Sequence, residues 1–561
     1  MTARKFVKYA VVVAGVAGCL LLGSAAKSNV YNLGKQVEIL VNMMRTLNLF
    51  YVDNVEPEKI MDAAAEGMTK ILDPYTEYFS PEEMESFDVM TTGKYGGVGS
   101  TIRIRGEYVE FFAPYKGSPA YRAGIRAGDL ILEIDGQDAK GLTTQQVSDR
   151  LKGDPGTSVR LTVGKFPDNR PQKVRITRER ISIPGVPYHA MLNDSVGYIL
   201  HEDFTEGCAA EFLRAYRDLE NKGMKALVLD YRYNSGGILQ EAVSILSYFL
   251  PAGSEVVSTR SAKSHNENQK FVTENPPIAP TIPLVVLVDN DTASAAEIVA
   301  GALQDHDRAV VMGRRTYGKG LVQSTFPLGY EAYAKVTTAK YHLPSGRCIQ
   351  AIEYGAHNAD GSVSTVPDSL INEFHTKAGR KVYDGGGVMP DIPLKTEYIS
   401  TFSVVVYAQG YIDDFVSDFS RRHYNTLADK VIPTKYHLTD ENYAEFVTWM
   451  QGKEVAWESM ANRYWAEFEK IANNEPWGKE IEEQMATIKK TLTKKTEDYL
   501  WMYKKELSEA IENSIIRRYC FDEGVTAHNL PSDKEVKEAL KVLGDGERYN
   551  QILTLQDTAR K

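Results

Sequence analysis

The sequence predicts a multidomain α/β protein with a β-rich insert and helical regions at both ends. Three observations predict it. At 561 residues the chain is too long for one compact core, which calls for two to four domains. Between Pro187 and Lys395, short continuous apolar runs alternate with helical patterns, the mark of a largely parallel sheet. Between Tyr95 and about Ile183 the chain is rich in glycine and β-branched residues, arranged in short alternating runs. Hydrophobic residues at 43% and charged residues at 25% are ordinary for globular domains and exclude wholesale disorder. A net charge of −10 supplies no basic face for phosphate, so nucleic acid is not an expected partner.

The elements follow in order. Arg4, Lys5 and Lys8 precede an apolar run from Tyr9 to Gly23, and Ser24, Ala25 and Ala26 follow it. That is the build of a secretory signal, and an uncleaved N-terminal anchor reads the same way. Val16-Ala17-Gly18-Cys19 looks like a lipoprotein cleavage box, a poor one with three leucines directly after Cys19. All three readings export the chain. From about Asn32 to Met90 the pattern is helical, with Val37, Leu40, Val41, Met44 and Leu47 at helix spacing. A second helical stretch, Pro57 to Leu72, stops at Asp73-Pro74, where proline biases its neighbour out of the helix. Strand runs follow at Val109–Phe112, Leu130–Ile134 and Val159–Val163, and buried ones at Ala226–Asp230, Leu284–Asp289 and Ala309–Met312. Past Ser400 the chain is helical again. Met485, Ile488, Leu492, Tyr499 and Met502 suit one long amphipathic helix from Ile481, packed on a neighbour; the heptad lapses near Lys495, against a dimer seam.

Three segments could carry chemistry. Thr292–Glu297 (TASAAE) follows a strand and opens a helix with Ile298, Val299, Ala302 and Leu303 on its apolar face. Ser294 therefore lies near the positive end of a helix dipole, beside amides free to bind an oxyanion. Most serines there are simply N-caps. Tyr317–Gln323 (YGKGLVQ) places Lys319 between two glycines after a buried strand, where a lysine sheds hydration and its neutral form can serve as a base. A solvated surface lysine is the ordinary alternative. Asp230–Gly237 (DYRYNSGG) makes a tight loop with exposed amides, as a plain turn also would. Gly313–Lys319 fits seven positions of a phosphate-cradling loop. However, Gly320 replaces the hydroxyl residue that magnesium needs, and Leu321–Phe326 reads as a strand. His306, twelve residues beyond Ser294, falls about 15 Å or more along the same helix and is a poor base for it. Cys19, Cys208, Cys348 and Cys520 are too scattered for a metal ribbon or a disulfide framework.

Taken together, TASAAE, YGKGLVQ and DYRYNSGG resemble the C-terminal processing (tail-specific) peptidases. Thr337–Gln350 (TTAKYHLPSGRCIQ) is similar to that family's substrate-strand segment, and Gly385–Ile392 (GGGVMPDI) to its closing turn. Gly96–Gly99 with Ser118–Gly136 looks like a PDZ domain. The resemblance covers Met1 to roughly Lys395 and departs at Tyr231 and His342-Leu343, which touches side-chain preference and not mechanism. It implies a crotonase-like α/β protease core with an inserted PDZ domain, and a serine–lysine dyad needing neither cofactor nor metal. Carried onto this sequence, Ser294 is the nucleophile, Lys319 the base and Gln323 the residue that orients it. Gly236 or Gly237 with Ala295 form the oxyanion hole, Glu297 and Asp305 support the site, and Gly96, Gly97, Val98 and Gly99 hold the substrate carboxylate. Expected boundaries are 1–26 for the signal or anchor, 27–92 helical, 93–183 PDZ, 184–398 protease core and 399–561 helical. Expected partners are protein substrates with flexible apolar C-termini, cleaved outside the cytoplasm in a periplasmic or cell-envelope setting. Membrane association through the N-terminal segment and a homo-oligomer are both compatible with the chain. Two rival readings stand beside this one: an inactive PDZ scaffold, and a nucleotide-binding protein using Gly313–Lys319.

Overall fold

The computed structural model describes residues 31–83, 93–261, 268–357, 363–366, 368–395, 398–427, 430–492 and 494–554. The basic and apolar N-terminal segment lies outside the described residues. None of the described helices is long and apolar enough to cross a membrane. The chain forms two compact units, one from the N-terminal residues with Gln323–Thr337, the other from the remainder.

In the first unit residues 31–50 are helical, and a second helix, Pro57–Thr69, carries its proline in the first turn, where a missing N–H costs nothing. The second helical stretch stops before Asp73-Pro74, as expected, and the helical pattern read on to Met90 gives way at Asp73. Its carboxylate accepts the N–H groups of Tyr75 and Thr76, both at 2.9 Å, and this Asx-type turn redirects the chain. Glu77–Phe79 then pairs as a strand, antiparallel with Tyr333–Lys335. Aromatic residues at 78 and 79 suit that half-buried pleat better than a helix.

The second unit contains two sheets that position everything else. The glycine-rich region builds an antiparallel sheet in the order Ser100–Arg105, Tyr108–Pro114, Leu130–Ile134, Ser158–Lys165, Arg170–Thr177. Val109, Phe111, Ile131, Val159 and Leu161 bury themselves beneath helix Thr144–Leu151, whose start is fixed by a Thr143–Gln146 capping box. Lys94–Gly97 and Glu179–Ser182, at the two ends of the region, pair antiparallel and close it as an insert.

The second sheet runs Tyr188–Met191, Val196–Leu200, Ala226–Asp230, Leu284–Val288, Val310–Gly313, Ile392–Pro393. Only its first pair is antiparallel. Its three central strands are buried at every residue, which is why they read as unbroken apolar runs. Alternate side chains serve opposite faces. Leu227, Leu229, Leu284 and Val286 pack under helices Cys208–Asn221, Leu239–Leu246 and Ala295–Asp305. Val228, Val285, Leu287 and Met312 pack against Val536, Ala539 and Val542 of helix Lys534–Gly544 and against Tyr549 of helix Gly546–Thr554.

The expected long helix from Ile481 is broken. Helices Glu482–Leu492 and Thr496–Met502 flank Lys495, whose extended backbone donates its N–H to Asp498 at 2.8 Å, a fresh helix start. Helix Lys504–Asn529 follows, and Leu507, Ile511 and Ile515 join Phe402, Phe415, Phe419 and Phe446 in a separate helical core.

Candidate active site

Ser294 ends a turn built by its neighbours. After strand Leu284–Val288, the Asp289 carboxylate accepts the N–H groups of Asp291 and Thr292, both at 3.0 Å, and that of Tyr233 at 3.1 Å. Ser294 itself holds φ 53° and ψ −117°, a conformation that costs an L-residue on the order of 1–3 kcal/mol. An N-cap serine would be extended. The positive φ makes the strand-to-helix turn sharp and brings the serine out over the helix start, although it remains 7% exposed.

One carboxylate gathers the site. Glu297, fully buried, accepts the Ser294 N–H at 2.9 Å and the Lys319 N–H at 2.8 Å on Oε2. Its Oε1 accepts the Gly318 N–H at 2.8 Å and the Thr316 hydroxyl at 2.5 Å. Two donors on one oxygen at such lengths stand within about 6 Å of each other, so the backbones of Ser294 and Lys319 are adjacent. Burial raises the Glu297 pKa above its ordinary value, and the four donors pull against that rise. The lysine turn is equally crowded. A Cβ on Gly318 would meet Ala351 at 2.4 Å, and one on Gly320 would meet the Gln350 backbone at 2.7 Å. Only glycine fits on either side of Lys319.

The glycine loop lies directly on the serine turn. Ala293 donates its N–H to Asn234 O at 2.9 Å, and the Thr292 hydroxyl donates to Tyr231 O at 2.9 Å. Gly236 has φ 98°, and a Cβ there would stand 2.7 Å from the Ser294 Cβ. The Gly236 N–H donates to Asn234 Oδ1 at 2.8 Å. Those of Gly237 and Ala295 donate to no group among the described residues.

Each of the other expected residues has its own partners. Gln323 belongs to the first unit, where its amide donates to the Thr337 hydroxyl at 3.2 Å and Thr337 donates to Asp73 at 3.1 Å. Asp305 occupies the far end of the Ser294 helix, about 15 Å away, where it pairs with fully buried Arg347 at 2.8 Å. His306 caps that same end and bonds Glu255 O at 2.7 Å. Arg314 and Arg315, in the turn that leads to Lys319, are held by other groups: Arg314 reaches Asp289 and Glu535, and Arg315 donates to Gly386 O. In the insert, Val98 O and Gly99 O accept the N–H groups of Ala120 and Tyr115. The Val98 and Gly99 amides donate to no described group. Gly96 and Gly97 pair with Arg180 and Glu179 at the neck of the insert. Strand Ser100–Arg105, next in the chain, is the sheet's edge. As for the phosphate loop, Glu297 already holds the Gly318 and Lys319 amides that a phosphate would need, and Leu321–Gly329 is a strand.

Sequence reasoning missed Thr316 and Asn234, whose side chains brace the lysine turn and the glycine loop. Asn234 stood within a quoted motif, but nothing local marked it as buried.

Comparison with known proteins decides the family. Over 333 residues the chain is 34% identical to the carboxy-terminal-processing protease of Bartonella bacilliformis, covering 59% of this chain and 76% of that protein. The chain belongs to the carboxy-terminal-processing proteases. The Synechocystis carboxyl-terminal-processing protease is 38% identical over 323 residues, covering 56% of this chain and 72% of its own length. Residues 195–357 match Peptidase family S41, residues 113–164 a PDZ domain, and residues 402–543 the probable PDZ-protease C-terminal helical domain. Among solved structures, the photosystem II D1 C-terminal processing protease is 27% identical with a TM-score of 0.35, covering 64% of this chain and 87% of that one. The chain is thus a peptidase of mixed α/β architecture with a PDZ domain and a helical C-terminal region.

Proposed function

We propose that this peptidase is exported and cleaves proteins near their C-termini through Ser294 as nucleophile and Lys319 as general base. The observation that carries the reading is the Glu297 carboxylate, which holds the amides of both residues on one oxygen. Ser294 Oγ attacks the scissile carbonyl and its proton passes to the neutral Lys319 amine. The tetrahedral oxyanion is met by the N–H groups of Ala295 and Gly237, which donate to no group among the described residues. Gly236 serves by its lack of a side chain, which lets the loop approach the serine. Collapse expels the amine, which takes the proton from Lys319, and water then hydrolyses the acyl-enzyme. The N-terminal segment directs the chain out of the cytoplasm, into the periplasm or cell envelope.

Tails are read by the PDZ domain. A substrate C-terminus adds as a strand beside Ser100–Arg105, and the Val98 and Gly99 amides, with the Gly96–Gly97 backbone behind them, receive its carboxylate.

The test uses the purified full chain and an unfolded polypeptide, with cleavage sites read by mass spectrometry. Ser294→Ala and Lys319→Ala each abolish turnover, and the double variant is no worse than either single one, because the two act as a unit. Turnover above a tenth of wild type in Lys319→Ala would sink the dyad. An amidated substrate tail is cleaved more slowly than a free one, since amide leaves the carboxylate donors poorly matched; equal rates would remove tail reading alone.

A further inference from the structure

Both catalytic loops carry an arginine that points away from the reaction. Arg232 lies in the glycine loop, two residues after Asp230, and Arg314 is the first residue beyond strand Val310–Gly313, in the turn that leads to Lys319. Their parent strands flank the serine strand on either side. Two guanidinium groups brought together on one side of a sheet repel unless anions lie between them.

Asp230 pairs with Arg232 at 2.6 Å within the loop itself, and two further anions come from outside the residues matched to the peptidase family. Asp533 and Glu535 open helix Lys534–Gly544. Asp533 accepts the N–H groups of Glu535 at 2.8 Å and Val536 at 3.0 Å, so the helix start is fixed, and its other oxygen lies 2.7 Å from Arg232 Nη2. Glu535 divides its carboxylate. One oxygen takes Arg232 Nη1 at 3.1 Å and the other takes Arg314 Nη1 in a short ion pair. Arg314 also reaches Asp289, the residue that shapes the serine turn, at 3.7 Å. These side chains are between 2% and 21% exposed, where ion pairs are least screened. The helix cannot drift, because Val536, Ala539 and Val542 are buried against the sheet.

We propose that Asp533 and Glu535 are positioning residues of the peptidase site, setting the spacing of the glycine loop and the lysine turn across Ser294. This inference rests on the Ser294–Lys319 reading. The C-terminal helix is in this view part of the catalytic apparatus. Loosening it moves the oxyanion donors and the base relative to the nucleophile, while the groove that binds the substrate tail is untouched.

The experiment uses the full chain. Glu535→Gln keeps shape and removes charge; Glu535→Asp keeps charge but shortens the reach, so the bridge from one carboxylate to both arginines is broken, and it carries the test should the first variant fail to fold. Turnover is normalised to Ser294 sites titrated with a fluorophosphonate probe, and the labelling rate is measured separately. Each variant is expected to lower kcat on the order of ten-fold or more, with KM within about two-fold and slower labelling, in a chain that melts as a single folded species. Wild-type kcat per titrated site, or a loss fully explained by a smaller folded fraction, overturns the proposal. Ser294→Ala runs in parallel. Turnover by that variant would instead overturn the underlying dyad, whereas an inactive Ser294→Ala beside fully active Glu535 variants removes the positioning role alone.

Discussion

Ser294 is held in a conformation that isolated chain would avoid, and the cost is borne by the residues around it. Gly236 packs on its Cβ, Asn234 and Thr292 staple the glycine loop to its turn, and Glu297 binds its amide. Beneath that loop lies His201, fully buried, with Nε2 against Asp203 O at 3.1 Å and Nδ1 against the Tyr231 hydroxyl at 3.3 Å. Burial pushes its pKa down from 6.5 to about 3. The folded state thus keeps His201 neutral while the unfolded chain takes up a proton below about 6.5. Its contribution is present above that pH and is lost as pH falls towards 3, by up to about 1.4 kcal/mol per pH unit. Carboxylates titrate in the same window, so the prediction is a difference: His201→Phe gives a shallower decline of stability than wild type between pH 6 and 4. Urea denaturation at several pH values measures it, and parallel slopes would contradict a neutral buried histidine.

At the scale of elements, the Ser294 helix is tethered at both ends by different chemistry. Glu297 serves the Ser294 end. At the other, Asp305 pairs with Arg347 and accepts the Ser345 N–H at 3.0 Å, and neither charged side chain has any exposure. Removing the acid strands a guanidinium in the interior. Asp305→Ala is therefore expected to cost about 3–5 kcal/mol of stability, with kcat per folded molecule changed little. Denaturant midpoints and active-site titration separate the two effects; a large fall in kcat with unchanged stability would place Asp305 in the catalytic end instead. The helix was legible as an element because Ile298, Val299, Ala302 and Leu303 recur at its period. Its burial on all sides was not, since Gln304 and Asp305 look like a solvent face until Arg347 and Arg380 arrive from the far end of the domain.

For the whole molecule, the PDZ sheet is gripped by the C-terminal helices. Glu110 is fully buried and takes Arg103 Nε at 2.6 Å and Arg105 Nη1 at 3.4 Å. Those arginines also meet Asp413, Asp414 and Asp418 of helix Tyr411–Arg422. Arg518, from helix Lys504–Asn529, stacks 4.4 Å from the Phe166 ring centroid, in space left open by Gly128. Phe521, at φ 62° inside that helix, meets Tyr121 edge-on. Glu110→Ala leaves the arginines without their buried anion and is expected to cost about 3–5 kcal/mol, with faster proteolysis between the PDZ domain and the helices. A change under about 1 kcal/mol in urea denaturation would show the network to be dispensable.

Sequence by itself determined the strands of the central sheet, whose unbroken apolar runs record burial on two faces, and the serine, lysine and glycine-loop segments, whose turn residues carry local backbone demands. It also determined the PDZ insert. Tertiary structure alone decided the positive φ of Ser294, the four donors on Glu297 and the destinations of Arg232 and Arg314. It also decided that the last two helices close the second face of the sheet. The physical reason is range. Hydrophobic period and turn chemistry act between residues a few positions apart, so one chain displays them. Arg232 meets Asp533 across 301 positions, and Glu535 meets Arg314 across 221. An exposed-looking charge shows nothing of its partner until the fold brings the two together and removes the water between them.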